Sequence, residues 1–179
     1  CRQAVAWQRA GLPPLSIAVN LSAVQFKRSD VTQVVSRALQ ESGLDPGLLE
    51  LELTKSILMQ HVEGVLSTLQ SLKRLGVTLS IDDFGTGYSS LSYLKRFDID
   101  KLKIDQSFVR DLASDPDDAA IVRAIIQMAH SLSLKTIAEG VETASALQML
   151  NDFQCDEAQG FHFSQPMPAD EFARYVKQR

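Results

Sequence analysis

Acidic and amide side chains recur in this sequence where short apolar runs end. The recurring residues are Asn20, Glu52, Asp82, Asp83, Glu139, Glu142 and Gln159. Carboxylate and amide oxygens are the ligands that hard divalent cations such as Mg²⁺ and Mn²⁺ prefer. Carboxylates that crowd together do not all stay ionised unless cations compensate them. If the fold gathers these residues, we expect a paired-metal site of the kind that supports phosphoester hydrolysis.

Each of these residues also has an ordinary structural interpretation. The Asp82–Asp83 pair precedes a glycine-rich segment and is equally typical of a turn. Lys103 with Asp105 is typical of a surface ion pair, and Glu142 is well placed to cap a following helix. The metal hypothesis therefore rests on the shared position of the residues at strand ends, and not on any single residue.

Short apolar segments alternate with longer segments of helical period along the whole chain. The predicted strands are Leu15–Leu21, Leu48–Thr54, Val77–Ile81, Ile99–Ile104, Leu134–Ala138 and Cys155–Ala158. The main predicted helices are Asp30–Gln40, His61–Leu75, Asp117–Leu132, Thr143–Phe153 and Ala169–Lys177, and Asp82–Ser90 is predicted to be a loop. Strict strand–helix alternation predicts an α/β fold in which helices cover a parallel sheet.

An open doubly wound sheet and a closed barrel both fit this alternation. An open sheet concentrates its site at one switch point, whereas a barrel builds its site from the ends of several strands. Polar residues follow all six predicted strands, so we predict a modified TIM (β/α)8 barrel. Six strands are two fewer than eight. We therefore expect the first two strands to precede Cys1, and residues 1–179 to form a single but partial domain.

Composition excludes some classes of function. The net charge of −4 argues against non-specific binding to duplex nucleic acid, which requires a basic surface. Cys1 and Cys155 do not form a disulfide framework, which favours a reducing cytosol. The sequence contains no apolar run of ~20 residues, so we expect no membrane contact by this domain.

Six segments resemble the EAL domains of bacterial cyclic-di-GMP signalling, in the order of that family. The segments are Val19–Ser22, Glu52–Thr54, Asp82–Ser90, Lys101–Asp105, Ala138–Thr143 and Gln159–Phe161. The run Asp-Asp-Phe-Gly-Thr-Gly-Tyr-Ser-Ser at 82–90 is the most specific of them. Together the segments extend over nearly the whole chain.

The resemblance implies hydrolysis of cyclic-di-GMP to linear pGpG with two Mg²⁺ or Mn²⁺ ions. The implied metal ligands are Asn20, Glu52, Asp82, Asp83 and Glu139, with Asp82 as the bridging ligand. The implied catalytic residues are Lys103, Glu139 and Asp83, and the implied substrate-binding residues are Gln159, Glu142 and Phe161. The implied regulatory residues, around a mobile loop that couples metal occupancy to dimerisation, are Lys55, Phe84, Gly85, Thr86 and Gly87.

The sequence departs from the family pattern in two places. The Glu-Ala-Leu signature is absent, and we expect it, with a substrate-binding arginine, before Cys1. Active members usually carry a second glutamate where this chain has Lys55. Lys55 either pairs with a nearby carboxylate, repels divalent cations, or is an incidental surface residue.

Two functions therefore remain open. The first is a cyclic-di-GMP phosphodiesterase, and the alternative is a degenerate EAL domain that binds cyclic-di-GMP or a protein partner without hydrolysis. The resemblance also implies a homodimer, and sensor or diguanylate cyclase (GGDEF) domains in the full-length protein. The expected location is the bacterial cytoplasm, including the cytoplasmic part of a membrane-bound sensor.

Overall fold

The computed structural model describes residues 1–28, 30–58, 62–86, 94 and 96–178. In this part of the chain, six parallel strands form one sheet, in the same order in space as in sequence. The strands are β1 (Ile17–Leu21), β2 (Leu49–Thr54), β3 (Thr78–Phe84), β4 (Lys101–Ile104), β5 (Lys135–Ala138) and β6 (Glu157–Ala158). The predicted α/β architecture with a parallel sheet is confirmed.

Helices connect the strands. Among the described residues they are α1 (Arg2–Arg9), α2 (Ala23–Arg28), α3 (Val31–Ser42), α4 (Lys55–Leu58), α5 (Val62–Arg74), α6 (Gln106–Val109), α7 (Pro116–Ser131), α8 (Ala144–Asp152) and α9 (Ala169–Lys177), with a 3₁₀ turn at Pro46–Leu48. Local signals fix several helix ends: the Asp30 carboxylate accepts from the Gln33 amide at 3.0 Å, and the Thr143 hydroxyl accepts from the Ala146 amide at 3.2 Å. None of these helices is long and apolar enough to cross a bilayer.

Strand β2 is buried on both faces and separates apolar from acidic side chains. Leu49, Leu51 and Leu53 are at most 3% exposed and belong to the main hydrophobic core. Glu50 and Glu52 alternate with them and are only 4% and 6% exposed. Because successive side chains of a strand point to opposite faces, the glutamates must face the concave interior of the sheet.

Ion pairs across the interior demonstrate that the sheet is strongly curled. The Lys101 ammonium on β4 lies 2.9 Å from carboxylate oxygens of both Glu50 on β2 and Glu157 on β6. In a flat sheet, four strand spacings of about 4.8 Å would separate β2 from β6 by roughly 19 Å. One lysine contacts both strands only if the sheet curves around it. This curvature agrees with the predicted barrel type.

Strand β3 is longer than predicted. The sequence predicts a strand over Val77–Ile81 and a loop from Asp82, but β3 extends through Phe84. The assignment of Phe84 to a loop is therefore wrong: it lies in the strand and is 5% exposed. The polar Asp82–Asp83 pair obscured the end of the strand, because aspartate is more typical of turns than of strands.

Candidate metal centre

Lys103 stands at the centre of a group of carboxylates at the carboxyl ends of the strands. Its ammonium lies 2.8 Å from Glu52 on β2, 3.2 Å from Asp82 on β3 and 2.8 Å from Glu139 directly after β5. The Lys103 side chain is only 3% exposed. The alternative of a surface lysine is therefore wrong, because this cation is buried among three acids from three elements.

The ion pairs govern the protonation of Lys103. Burial alone would lower the pKa of the Lys103 ammonium, but hydrogen bonds to Glu139 and Glu52 outweigh that effect and raise the pKa above its ordinary value. Lys103 is therefore charged at neutral pH. Its charge compensates only part of the negative charge around it.

The pKa of Glu139 reflects the negative charge that Lys103 does not compensate. Burial raises the pKa of the Glu139 carboxyl, and the neighbouring Asp82 and Glu52 raise it further, although Lys103 acts in the opposite direction. A carboxylate with a raised pKa is a better proton acceptor than an ordinary glutamate at neutral pH.

A bulge in β3 turns two adjacent carboxylates toward the same space. The pairing of β3 with β4 shifts register between Ile81 and Phe84, and Asp83 has a left-handed backbone with φ of 55°. In a regular strand, Asp82 and Asp83 would point to opposite faces. Here oxygens of Asp82, Asp83 and Glu139 all lie within 4.8 Å of one another. Left-handed backbone in a non-glycine residue is uncommon and concentrates at functional sites.

The Asp82–Asp83–Glu139 cluster has the donors that a hard divalent cation requires. Burial raises the pKa of the Asp83 carboxyl, and the negative charges of Asp82 and Asp105 raise it further. The three oxygens therefore repel one another in the absence of a cation. Oxygen donors at this spacing fit an ion such as Mg²⁺, Mn²⁺ or Ca²⁺.

The two remaining predicted ligands lie at the β1–β2 side of the mouth. Asn20 on β1 is in register with Glu52 on β2, and its side chain is exposed. The Glu52 carboxylate is bound to Lys103. Both residues are thus at the predicted end of the sheet, and their roles as metal ligands stay predictions.

A cavity of about 260 Å³ adjoins the carboxylate cluster. Its walls include two members of the cluster, Asp83 and Glu139, and the three predicted substrate-binding residues, Glu142, Gln159 and Phe161. Phe161 is 57% exposed and presents an aromatic surface beside the acids. The structure therefore brings the predicted substrate-binding residues together beside the predicted metal ligands.

Glycines allow the cavity walls to pack closely. A β-carbon at Gly85, where φ is 109°, would lie 2.6 Å from the ring of Phe108. A β-carbon at Gly160 would collide with the backbone of Val141. Any side chain at these two positions would displace elements that carry site residues.

Lys55, at the start of α4, contacts the segment that follows β3. Its ammonium donates to the carbonyl oxygen and the hydroxyl of Thr86, and lies 5.5 Å from the centre of the Phe84 ring. The pKa of Lys55 is lowered, because the effect of burial outweighs the opposite effect of the Asp83 and Asp105 charges. Lys55 therefore forms hydrogen bonds with Thr86, and its regulatory role stays a prediction. Gly87 lies outside the described residues.

The sequence interpretation missed a second ion-pair group on the same strands. Glu50, Lys101 and Glu157 form ion pairs beneath the mouth of the barrel. Asp105 and Gln106 also line the cavity; the sequence predicts Asp105 as one half of a surface pair and indicates no role for Gln106. The repeated spacing Glu50-Leu51-Glu52 and Lys101-Leu102-Lys103 carried a usable signal, because residues two apart on a strand share a face.

Comparison with known families decides the classification of the chain. The model of the EAL domain matches residues 1–166. The chain belongs to the EAL domain family. The resemblance inferred from the sequence motifs is therefore confirmed.

Relatives of this EAL domain are longer signalling proteins. Signaling protein YkoW of Bacillus subtilis is 47% identical over 176 residues, which cover 98% of this chain and 22% of YkoW. Cyclic di-GMP phosphodiesterase NbdA of Pseudomonas aeruginosa is 44% identical over 177 residues, which cover 99% of this chain and 23% of NbdA. The chain thus spans less than a quarter of the length of these two relatives.

The chain also resembles solved structures. The Pseudomonas aeruginosa MucR phosphodiesterase in its c-di-GMP complex is 46% identical, with a TM-score of 0.90, and the match covers 96% of this chain and 70% of that one. The manganese and cyclic-di-GMP complex of Klebsiella pneumoniae BlrP1 is 33% identical, with a TM-score of 0.81, and the match covers 92% of this chain and 42% of that one. The chain therefore shares the fold of these two structures.

Proposed function

We propose that this domain hydrolyses cyclic-di-GMP to linear pGpG with the help of divalent metal ions. One observation carries the proposal: the Asp82–Asp83–Glu139 cluster, compensated in part by Lys103, opens onto a cavity with an exposed aromatic wall. A phosphodiester substrate brings negative charge, which this acidic mouth tolerates only with cations present. The relatives named as cyclic-di-GMP phosphodiesterases support the choice of substrate.

The residues of the chain have separate tasks in this reaction. Asp82, Asp83 and Glu139 would hold the metal, and Asn20 and Glu52 would complete the ligand set from the β1–β2 side. A bound divalent ion lowers the pKa of a coordinated water and offsets charge on the phosphoryl oxygens. Glu139 accepts the proton of the attacking water. Lys103 orients Glu139 through their 2.8 Å contact.

The cavity wall binds the nucleotide part of the substrate. The exposed ring of Phe161 offers a surface on which a guanine base stacks. Gln159 and Glu142, both exposed on the same wall, offer an amide and a carboxylate for hydrogen bonds to the substrate. These contacts place the phosphodiester next to the carboxylate cluster.

We propose Mg²⁺ or Mn²⁺, two per site, as the metal. The manganese complex of BlrP1 and the all-oxygen donor set support this choice. A cytoplasmic location, a homodimer, a single domain over residues 1–179 and attached sensor or GGDEF domains also belong to the proposal.

A binding module without hydrolysis is the second candidate function, and Lys55 is the observation that favours it. Its positive charge acts on Asp83, one member of the metal cluster, and it binds Thr86 next to the strand that carries Asp83. A cation at this place competes with a divalent ion for the same carboxylate. In this case the domain would bind cyclic-di-GMP and release it unchanged.

One experiment separates the two functions. The intact protein that contains this chain is incubated with cyclic-di-GMP and Mn²⁺, and the nucleotides are resolved by chromatography. We expect pGpG, no product with a chelator, and at least ~100-fold less product from Asp82→Asn. The matched control is Asp117→Asn, which removes an exposed aspartate from the first turn of α7. Binding without product at every metal concentration would establish the binding module and refute the enzyme.

A further inference from the structure

A second lysine on β4, Lys101, lies two residues before Lys103 and on the same face of the strand. Lys101 binds Glu50 on β2 at 2.9 Å and Glu157 on β6 at 2.9 Å, and the Lys101 side chain is 14% exposed. Burial would lower the pKa of Lys101, but hydrogen bonds to Glu157 and Glu50 outweigh it and raise the pKa. We call this group the Glu50–Lys101–Glu157 bridge.

The ion pairs of the bridge are expected to add little to the free energy of unfolding. The Glu50 side chain is 5% exposed, and its second oxygen, Oε1, has no hydrogen-bond partner among the described residues. Desolvation of a buried ion pair offsets most of its attraction, and apolar residues of similar volume are often equally stable or better. We therefore expect the bridge to matter for the relative positions of the strands that it connects.

Each member of the bridge stands two residues before a residue of the site. Glu50 precedes Glu52 on β2, Lys101 precedes Lys103 on β4, and Glu157 precedes Gln159 after β6. Residues two apart on a strand share a face, so the position of each lower residue determines the position of the upper one. The bridge ties together three strands that are not neighbours in the sheet.

We propose that the Glu50–Lys101–Glu157 bridge is a positioning element, which sets the curvature of the sheet and thereby the spacing of the groups at the mouth. The arm to Glu50 holds β2, and with it Glu52, against Lys103. The arm to Glu157 holds β6, and with it the wall formed by Gln159 and Phe161. The first arm controls metal binding and the second arm controls substrate binding. The second assignment rests on the proposed function, whereas the first does not.

An apolar replacement of Glu50 and Lys101 removes both arms, and its Mn²⁺ affinity tests the role given to the first arm. The double variant Glu50→Leu/Lys101→Met, in the intact protein, keeps the volume and removes the buried ion pair. We expect a melting temperature close to that of the wild type, but Mn²⁺ affinity lowered about 10–100-fold, as residues behind metal ligands commonly show. Mn²⁺ affinity is measured from the free-ion signal in electron paramagnetic resonance, at a temperature well below the melting transition. Wild-type Mn²⁺ affinity in a folded double variant overturns the proposal.

The second arm has its own variant, which keeps the proposal testable if the double variant does not fold. Glu157 is 42% exposed, so Glu157→Gln removes its charge at little cost in folding. We expect a KM for cyclic-di-GMP raised several-fold, with kcat and Mn²⁺ affinity unchanged. An unchanged KM, or equal effects on KM and Mn²⁺ affinity, contradicts the assignment of the two arms.

Two further variants separate positioning from charge. Lys135 lies in register with Lys101 on the neighbouring strand and is exposed, so Lys135→Met is the matched control and should change nothing. Lys101→Arg keeps both ion pairs and should retain most of the Mn²⁺ affinity. If the wild type binds Mn²⁺ but yields no pGpG, the proposed function fails while the Mn²⁺ measurements still decide the role of the first arm.

Discussion

Replacement of Lys103 by methionine tests the electrostatic account of the site most directly. The Lys103 ammonium contacts Glu52 at 2.8 Å, Asp82 at 3.2 Å and Glu139 at 2.8 Å, and its side chain is 3% exposed. Methionine keeps most of the volume and removes the charge. The substitution leaves three carboxylates facing one another without a compensating cation.

The expected loss of stability is large for a single substitution. Removal of one partner from a buried ion pair costs about 3–5 kcal/mol, because the remaining charge stays desolvated. At these distances the Coulomb attraction of each ion pair, before desolvation, is about 5–6 kcal/mol at an effective dielectric of 20. Partial protonation of the acids relieves some of the repulsion, so we expect a loss of about 3 kcal/mol. In a chain of this size, that lowers the melting temperature by about 6–12 °C.

The loss of stability should depend on metal and on pH. A divalent ion restores positive charge among the carboxylates, so Mn²⁺ should recover part of the lost stability and a chelator should abolish the recovery. Because the pKa of Lys103 is raised by folding, its stabilisation is complete below the unfolded lysine value of about 10.4 and disappears only above it. The charge of Lys103 is therefore constant between pH 6 and pH 8. The carboxyls of the variant take up protons as the pH falls, which relieves their repulsion, so the difference between wild type and variant should be smaller at pH 6 than at pH 8.

Urea denaturation with and without Mn²⁺ measures both effects. The control is Arg2→Met, which breaks the exposed Arg2–Glu41 pair, whose side chains are 80% and 50% exposed. Exposed pairs contribute about 0–1 kcal/mol, so the control should shift the transition little. A Lys103→Met protein as stable as this control, or one whose stability ignores Mn²⁺, would refute the reasoning.

Three other substitutions give further predictions. Lys55→Glu should raise Mn²⁺ affinity in the same resonance assay, since an anion replaces a cation near Asp83; the neutral Lys55→Met should lie between, and unchanged affinity would leave Lys55 without electrostatic influence on the metal. Gly85→Ala should lower the melting temperature by several degrees, because the added carbon would lie 2.6 Å from Phe108; an unchanged melt would show that this ring moves freely. Asp156→Asn should destabilise the protein by about 2 kcal/mol at pH 7 in urea denaturation, since hydrogen bonds from His130 and Thr136 overcome burial and lower the Asp156 pKa. That stabilisation is present above the unfolded value of about 3.9 and is lost as pH falls through the folded value, so the difference should shrink toward pH 3; a constant difference would contradict this assignment.

Strand order and the gathering of the acids were accessible from the sequence. Five of the six predicted strands overlap observed strands by four residues or more, because apolar periodicity depends on local spacing alone. The position of Glu139 after β5 followed from the same pattern. The short helices α2, α4 and α6, of four to six residues, were missed because one turn or so of helix has no measurable period.

Two features of the site lay beyond sequence reasoning for physical reasons. The bulge that turns Asp82 and Asp83 together is a tertiary adjustment between β3 and β4, and neither residue type signals it. The partners of Lys103 come from positions 52, 82 and 139, which only the curvature of the sheet brings together. A lysine between apolar residues is equally compatible with a surface strand until that curvature is known.

The placement of Lys101 and Lys103 on one face of β4 makes correct pairing of that strand a condition for forming the carboxylate site. A slip of β4 by one residue would turn both ammonium groups outward, into the layer now occupied by Leu102 and Ile104, each 0% exposed. The slipped arrangement would bury two cations among apolar side chains and leave the interior acids unpaired. Misassembled molecules are therefore disfavoured by the same charges that build the site, and the number of metal ions bound per chain in a preparation reports the fraction of chains that have assembled correctly.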